Sequence, residues 1–140
     1  MLKSIAQTES PPNLVEWARL ALKDLKAPVL RVIRIRHEHG QLALEEVVLS
    51  LSHFPGLVPN GQVVPDIVEL AQRYGVSLGR ASERISFIPA PRGVAERLGI
   101  AEGTGVVKLD RITDTTDGEP VEWRVAHAVR ISGRRLGGMD

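Results

Sequence analysis

The 140-residue chain contains no cysteine. That excludes a disulfide scaffold and a thiolate zinc site, and it agrees with a reducing compartment. No apolar run approaches the ~20 residues needed to cross a bilayer, and the opening MLKSIAQTESPPN lacks the apolar core of a secretory signal. The cytoplasm is therefore expected, with no membrane partner. The chain also lacks a dominant charge. Eighteen basic and seventeen acidic residues leave a formal +1, and the two signs are interspersed, so nucleic acid is not an expected direct partner. Finally, no residue stands out as an activated nucleophile or base with an orienting partner. An enzyme is not expected, and no cofactor or metal is implied. Of the four histidines, His37 and His39 flank a turn, where alternating ligands could touch a metal but solvated side chains are the better reading. His53 and His127 read as packed or hydrogen-bonded residues.

What is present fits one globular domain. An apolar fraction of 43% and a charged fraction of 25% are ordinary for such a domain, and the length suffices for a real core. Residues 1–12 end in Ser10-Pro11-Pro12 and read as an extended, mobile lead, with the domain proper spanning 13–131 and a fraying tail at 132–140. Asn13 followed by Glu16 predicts a capping box, and Leu14, Trp17, Ala18, Ala21 and Leu25 recur at helical spacing. Ala27-Pro28 ends that helix. The segment from Ser50 to Gly61 is a loop carrying an apolar plug around Phe54, after which Pro65-Asp66 opens a second helix through Ile67, Leu70, Ala71 and Tyr74, stopped by Gly75. Ala81 to Ile88 reads as a strand anchored by Ile85 and Phe87. A third helix starts at Pro91 and runs through Val94, Ala95 and Leu98 to Gly99. Two strands then follow, Val106 to Thr113 and Pro120 to Val129, around the turn signal Asp117-Gly118.

The stretch Val29 to Leu49, VLRVIRIRHEHGQLALEEVVL, organises the rest. It reads as a hairpin turning at HEHG. Leu30, Val32, Arg34 and Arg36 share one strand face, and Leu42, Leu44, Glu46 and Val48 share a face on the return. A register pairing Arg36 with Leu42 and Arg34 with Leu44 raises Arg34, Arg36 and Glu46 from one apolar patch. A slip of one residue undoes this. Charges on such a patch must find partners, either each other or a ligand. The guanidinium forks suit a phosphate, sulfate or carboxylate, and the carboxylate could accept from a ligand hydroxyl or amine.

Shifting the chain by 77 places Trp17 on Val94, Val29 on Val106 and Arg34 on Arg111, and by 78 places Gly40 on Gly118 and Val47 on Val125. Each half reads as helix, strand, glycine turn, strand, which predicts an α+β fold with one mainly antiparallel sheet and packed helices. A cleft where the halves meet would recruit Glu122 from the final strand, beside Arg124 and opposite in facing to Val121, Trp123 and Val125.

Three motifs of the second half then follow in order: Ala95 to Gly99 ending in Leu-Gly, Val106 to Arg111 finishing in an arginine, and Asp117 to Glu122 as an acidic Gly-x-Pro-hydrophobic-Glu return. With Arg34-Ile35-Arg36, Glu46 and Phe54-Pro55-Gly56-Leu57, this set resembles the UTRA (UbiC transcription regulator-associated) effector-binding domain of GntR-superfamily, HutC-type transcription regulators, over residues 14 to 130. The resemblance implies a chorismate-lyase-like fold that senses a small anionic metabolite such as a phosphosugar or carboxylate. By motif position Arg34 and Arg36 would hold the anion, Glu46 and Glu122 would receive polar groups, and Arg124 and His127 would stand behind them. It also implies a homodimer.

Such regulators carry a winged helix-turn-helix of about 70 residues ahead of this domain. Here only a dozen residues precede the first helix, so DNA would be read through a separate domain or protein. The end of the chain also departs, since His127-Ala128-Val129-Arg130 runs into Ser132-Gly133-Arg134 where the family has a tyrosine and an Arg-x-Asp-Arg segment. Two other functions compete with sensing: a dimerisation module whose pocket has decayed, and a chorismate-lyase-like enzyme.

Overall fold

The computed structural model describes residues 1–131. Six strands form a single antiparallel sheet: β1 (Leu2–Ser10), β2 (Val29–Glu38), β3 (Gln41–Ser50), β4 (Leu78–Pro89), β5 (Gly105–Thr115) and β6 (Pro120–Arg130), in the order β1-β2-β3-β6-β5-β4. Helices α1 (Leu14–Arg19), α2 (Ile67–Tyr74) and α3 (Arg92–Leu98) complete an α+β fold. None of the helices among the described residues is long and apolar enough to cross a membrane.

Side-chain alternation gives the sheet two working faces. On one, Leu30, Val32, Val47, Leu49 and Val121 meet Leu51, Phe54, Val64, Ile67 and Leu70, so the apolar plug and α2 cover this side. On the other, Leu44 packs under Val94 and Leu98 of α3, while Leu20 beyond α1 packs on Val29 and Val48. Val121 departs from the predicted facing. A register irregularity between Thr113 and Asp114 spaces it so that it joins Leu49 rather than Trp123.

Three expectations change. The lead is not free chain: residues 2–10 pair with β2 from Leu2↔Arg36 to Ser10↔Val29. Its burial is slight and irregular, so backbone pairing to the open edge of β2 holds it, and no hydrophobic period announces it. The Asn13–Glu16 capping box forms, with Asn13 Oδ1 accepting from Glu16 N at 2.8 Å and Glu16 Oε1 from Asn13 N at 2.9 Å. The helix is short, however, and Ala21 at φ 47° breaks it, so Leu14 and Trp17 stay exposed and Leu20 takes the buried position. In β4, Ile85 and Phe87 do not anchor a core, being 64% and 75% exposed on the outer strand. The predicted tail, 132–140, lies outside the described residues.

Candidate functional site

The hairpin turn decides the site. It contains two residues, His39 at φ 54° and Gly40 at φ 72°, where positive φ at both positions matches a primed two-residue turn. His37 and Glu38 therefore belong to β2, and the register pairs Arg34 with Glu45 and Arg36 with Ala43. This corrects the predicted pairing by one residue, and every side chain of β3 changes face. Glu45, not Glu46, joins the arginines. Glu46 lies opposite Ile33 and Val125 on the reverse face. There it lines a cavity of about 260 Å³ with Glu16, Arg31, Val48 and Trp123.

The arginine face continues across the sheet. Val47 pairs with Arg124, Leu49 with Glu122, Arg124 with Arg111, and Glu122 with Thr113. Glu45 is fully buried and sits at the centre. Its Oε1 accepts from Arg34 Nε at 2.7 Å, and its Oε2 from Arg36 Nε at 2.8 Å and Arg124 Nη2 at 2.5 Å. Burial alone would push this carboxyl up. The Arg36 hydrogen bond and the charges of Arg124 and Arg34 outweigh burial and hold it at about 2. The same hydrogen bond raises the Arg36 guanidinium above its ordinary value.

The chain itself closes the β2 end. Arg34 Nη1 donates to the Val64 carbonyl at 2.8 Å and Nη2 to Asp66 Oδ1 at 3.2 Å, leaving the Arg34 side chain 1% exposed. Asp66 also accepts from Arg36 Nη2. It occupies the N-cap of α2, yet its side chain makes no capping bond to that helix. Asp66 thus spends its carboxylate on the arginine pair, as a ligand's anionic group would.

At the β5–β6 end Arg111 Nη2 donates to Glu122 Oε1 at 3.2 Å. Here burial dominates, and the Glu122 carboxyl is raised despite Arg111. Across the face as a whole, four arginines (Arg34, Arg36, Arg111, Arg124) meet three inward carboxylates (Glu45, Asp66, Glu122), with Glu38 and Glu83 at the rim. With the rim included, four guanidinium groups meet five carboxylates, and each arginine has at least one carboxylate partner.

Of the residues predicted from sequence, Arg34, Arg36, Glu122 and Arg124 converge here, Arg124 touching Glu45 directly. Glu46 and His127 do not. His127 lies opposite Leu44 and Lys108 on the reverse face, its Nδ1 buried without a partner; burial, then Lys108, lowers its pKa. Sequence reasoning missed Glu45 and Asp66, and did not single out Arg111 as a site residue. The two-residue turn would have revealed the first, whereas Asp66 arrives from a loop about 30 residues away and carries no local signal.

Comparison with known proteins places this geometry. The UTRA domain family matches residues 4–129. Among curated proteins, the HTH-type transcriptional regulator Rv0792c of Mycobacterium tuberculosis is 39% identical over 56 residues, covering 40% of this chain and 21% of that one. Among solved structures, YydK from Bacillus subtilis superposes with a TM-score of 0.81 at 19% identity, covering 99% of this chain and 59% of that chain. The effector domain of PhnF from Mycobacterium smegmatis gives 0.78 at 21% identity, covering 91% and 78%. A GntR-family transcriptional regulator from Enterococcus faecalis gives 0.79 at 19%, covering 96% and 95%. The chain thus spans about a fifth of the curated relative and three fifths of YydK. At these identities the structural likeness establishes the fold, while the family match runs from β1 into β6. The chain belongs to the UTRA domain family.

Proposed function

We propose that this chain is the effector-sensing domain of a GntR-family, HutC-type transcription regulator, binding a small anionic metabolite on the arginine face and working as a homodimer. DNA is then read by a separate domain or protein, and the chain performs no chemistry on its ligand. One observation carries the reading: four arginines gather on one sheet face, and a half-exposed chain carboxylate, Asp66, rests on two of them. The guanidinium forks that Asp66 occupies suit a phosphate or carboxylate in its place. A ligand that displaces Asp66 also acts on the start of α2, and so shifts a conformational equilibrium through differential contacts.

The test is a thermal-shift screen of anionic metabolites, phosphosugars and carboxylates, repeated on Arg36→Ala. A compound at one hundred times its dissociation constant stabilises the native fold by ~2.7 kcal/mol. Arg36→Ala removes one of the two forks that hold Asp66 and abolishes that shift. A stabilising compound that acts equally on the variant contradicts the assignment.

A second reading has its own support. Arg34, Glu45 and Asp66 already satisfy one another, and Ile85, Phe87 and Val107 lie exposed at the β4–β5 end of the sheet. A silent pocket on a dimerisation module has these features. A chain that dimerises but answers no anion in the screen supports it.

A further inference from the structure

The cavity on the reverse face of the sheet plays no part in the anion reading, and its chemistry is of the opposite sign. Six side chains from three neighbouring strands form its floor as two cross-strand rows. Arg31, Val48 and Trp123 make one row, and Ile33, Glu46 and Val125 make the other. The start of α1 walls one side with Asn13 and Glu16, and the enclosed volume is about 260 Å³. Four of the six floor residues are aliphatic or aromatic.

Two of the three charged groups in this wall are already committed to each other. Glu16 is buried; its Oε1 accepts from Asn13 N at 2.9 Å and from Arg31 Nη2, and its Oε2 from Arg31 Nε at 2.5 Å. Arg31 spends its other donors on the Ser10 hydroxyl and the Pro11 carbonyl. That pair is closed and carries no net charge.

Glu46 is the third group, and its situation differs. It stands on the interior strand β3 between Ile33 and Val125, yet it is exposed and enters no hydrogen bond or ion pair among the described residues. A single carboxylate thus rises from an apolar floor at the mouth of a cavity, where an ammonium group gives it a charge-assisted partner. Trp123 adds to this preference. Its Nε1 donates to Asp110 Oδ1 at 2.9 Å, which fixes the ring, and the Arg19 guanidinium lies 5.3 Å from the ring centroid, so this indole already accepts a cation on its face.

We propose that this cavity is a second ligand site, independent of the arginine face, and that it takes a small organic cation: a primary amine on a short apolar or aromatic body. The ammonium donates to Glu46, and the body lies on Ile33, Val125 and Trp123. Anions are turned away, because Glu46 repels them and Arg31 has no donor to offer. Successive side chains of a strand point to opposite faces, so the neighbours Glu45 and Glu46 serve two sites of opposite charge preference through one strand.

The experiment titrates the full chain with phenethylamine and follows it by ¹H–¹⁵N correlation at fixed pH and ionic strength. 2-Phenylethanol and 3-phenylpropionate serve as neutral and anionic probes of similar shape, and Trp17→Phe identifies the Trp123 indole peak. Phenethylamine shifts that peak and the Ile33, Glu46 and Val125 amides saturably, while the Nε–H peaks of Arg34 and Arg36 stay in place. The alcohol binds about fivefold more weakly, and the carboxylate does not bind there. Glu46→Gln breaks no bond, so it keeps the native melting temperature and weakens phenethylamine by about fivefold. Equal affinity for the amine and the alcohol, or an unchanged affinity in Glu46→Gln, overturns the cation assignment. Absence of saturable shifts at Trp123, Ile33 and Val125 overturns the site itself. Neither result touches the sensing function, which the metabolite screen on Arg36→Ala judges separately.

Discussion

Two buried carboxylates on the same sheet face, Glu45 on β3 and Glu122 on β6, are both pushed up by burial yet shift in opposite net directions. Glu45 has three arginines on its two oxygens and is held at about 2. Glu122 has one arginine, at 3.2 Å, and its carboxyl is raised. Desolvation acts on both, so the number and closeness of partners decides the sign. The β2–β3 end is a finished structural ion cluster, whereas the β5–β6 end leaves donors free.

The largest effect should come from Glu45→Gln. Arg34 would remain buried with its principal anion gone, and loss of one partner of a buried pair costs ~3–5 kcal/mol, read by urea denaturation. The same carboxylate predicts an acid limb. Its folded pKa lies below the unfolded value of 4.5, so its stabilisation is full above that value and is lost as pH falls from there to about 2. Stability measured over that interval should drop in the native chain, and that portion of the drop should be missing in Glu45→Gln.

Glu122 should behave in the opposite sense. Its carboxyl is raised in the fold, so its contribution is most favourable at low pH and diminishes as pH rises through the folded value. Glu122→Gln should therefore hold or raise the neutral-pH stability, by no more than ~1 kcal/mol. Equal losses from the two Gln variants at pH 7 would break the contrast between the ends.

Smaller still is Asp66→Asn. The Asp66 side chain is 52% exposed, so its pairing is screened and stability should move by less than ~1 kcal/mol. With one carboxylate fewer on the face, affinity for the screening hit should rise by about two- to fivefold in isothermal titration. The smallest effect is the stability change in Thr113→Val, within ~0.5 kcal/mol of zero by thermal melt, because no bond is broken.

Much of this molecule was legible before its structure. Proline and glycine punctuation marked the connections, the Asn13–Glu16 pair marked a helix start, and alternation marked β2, β3, β5 and β6. Those signals are local, set by steric and hydrogen-bonding preferences within a few residues. β1 escaped because an edge strand held by backbone pairing needs no apolar period. Ile85 and Phe87 misled because strand propensity says nothing about whether a strand lies at the centre or the edge.

Three of the site's four arginines, Arg34, Arg36 and Arg124, could be read from the chain, since guanidinium groups set on apolar strand positions demand anions wherever they fold. Which anions they meet could not. Glu45 and Glu46 are adjacent and chemically alike, and only the positive φ of His39 and Gly40 fixes the two-residue turn that brings Glu45 beneath the arginines. Asp66 comes from a distant loop, and the opposition of Arg111 to Arg124 exists only once β5 and β6 pair. Sequence by itself determined the elements and the chemistry of the site, because both are carried by neighbouring residues. Register and closure belong to the tertiary structure, because backbone pairing and packing across tens of residues choose among partners that the chain alone leaves equivalent.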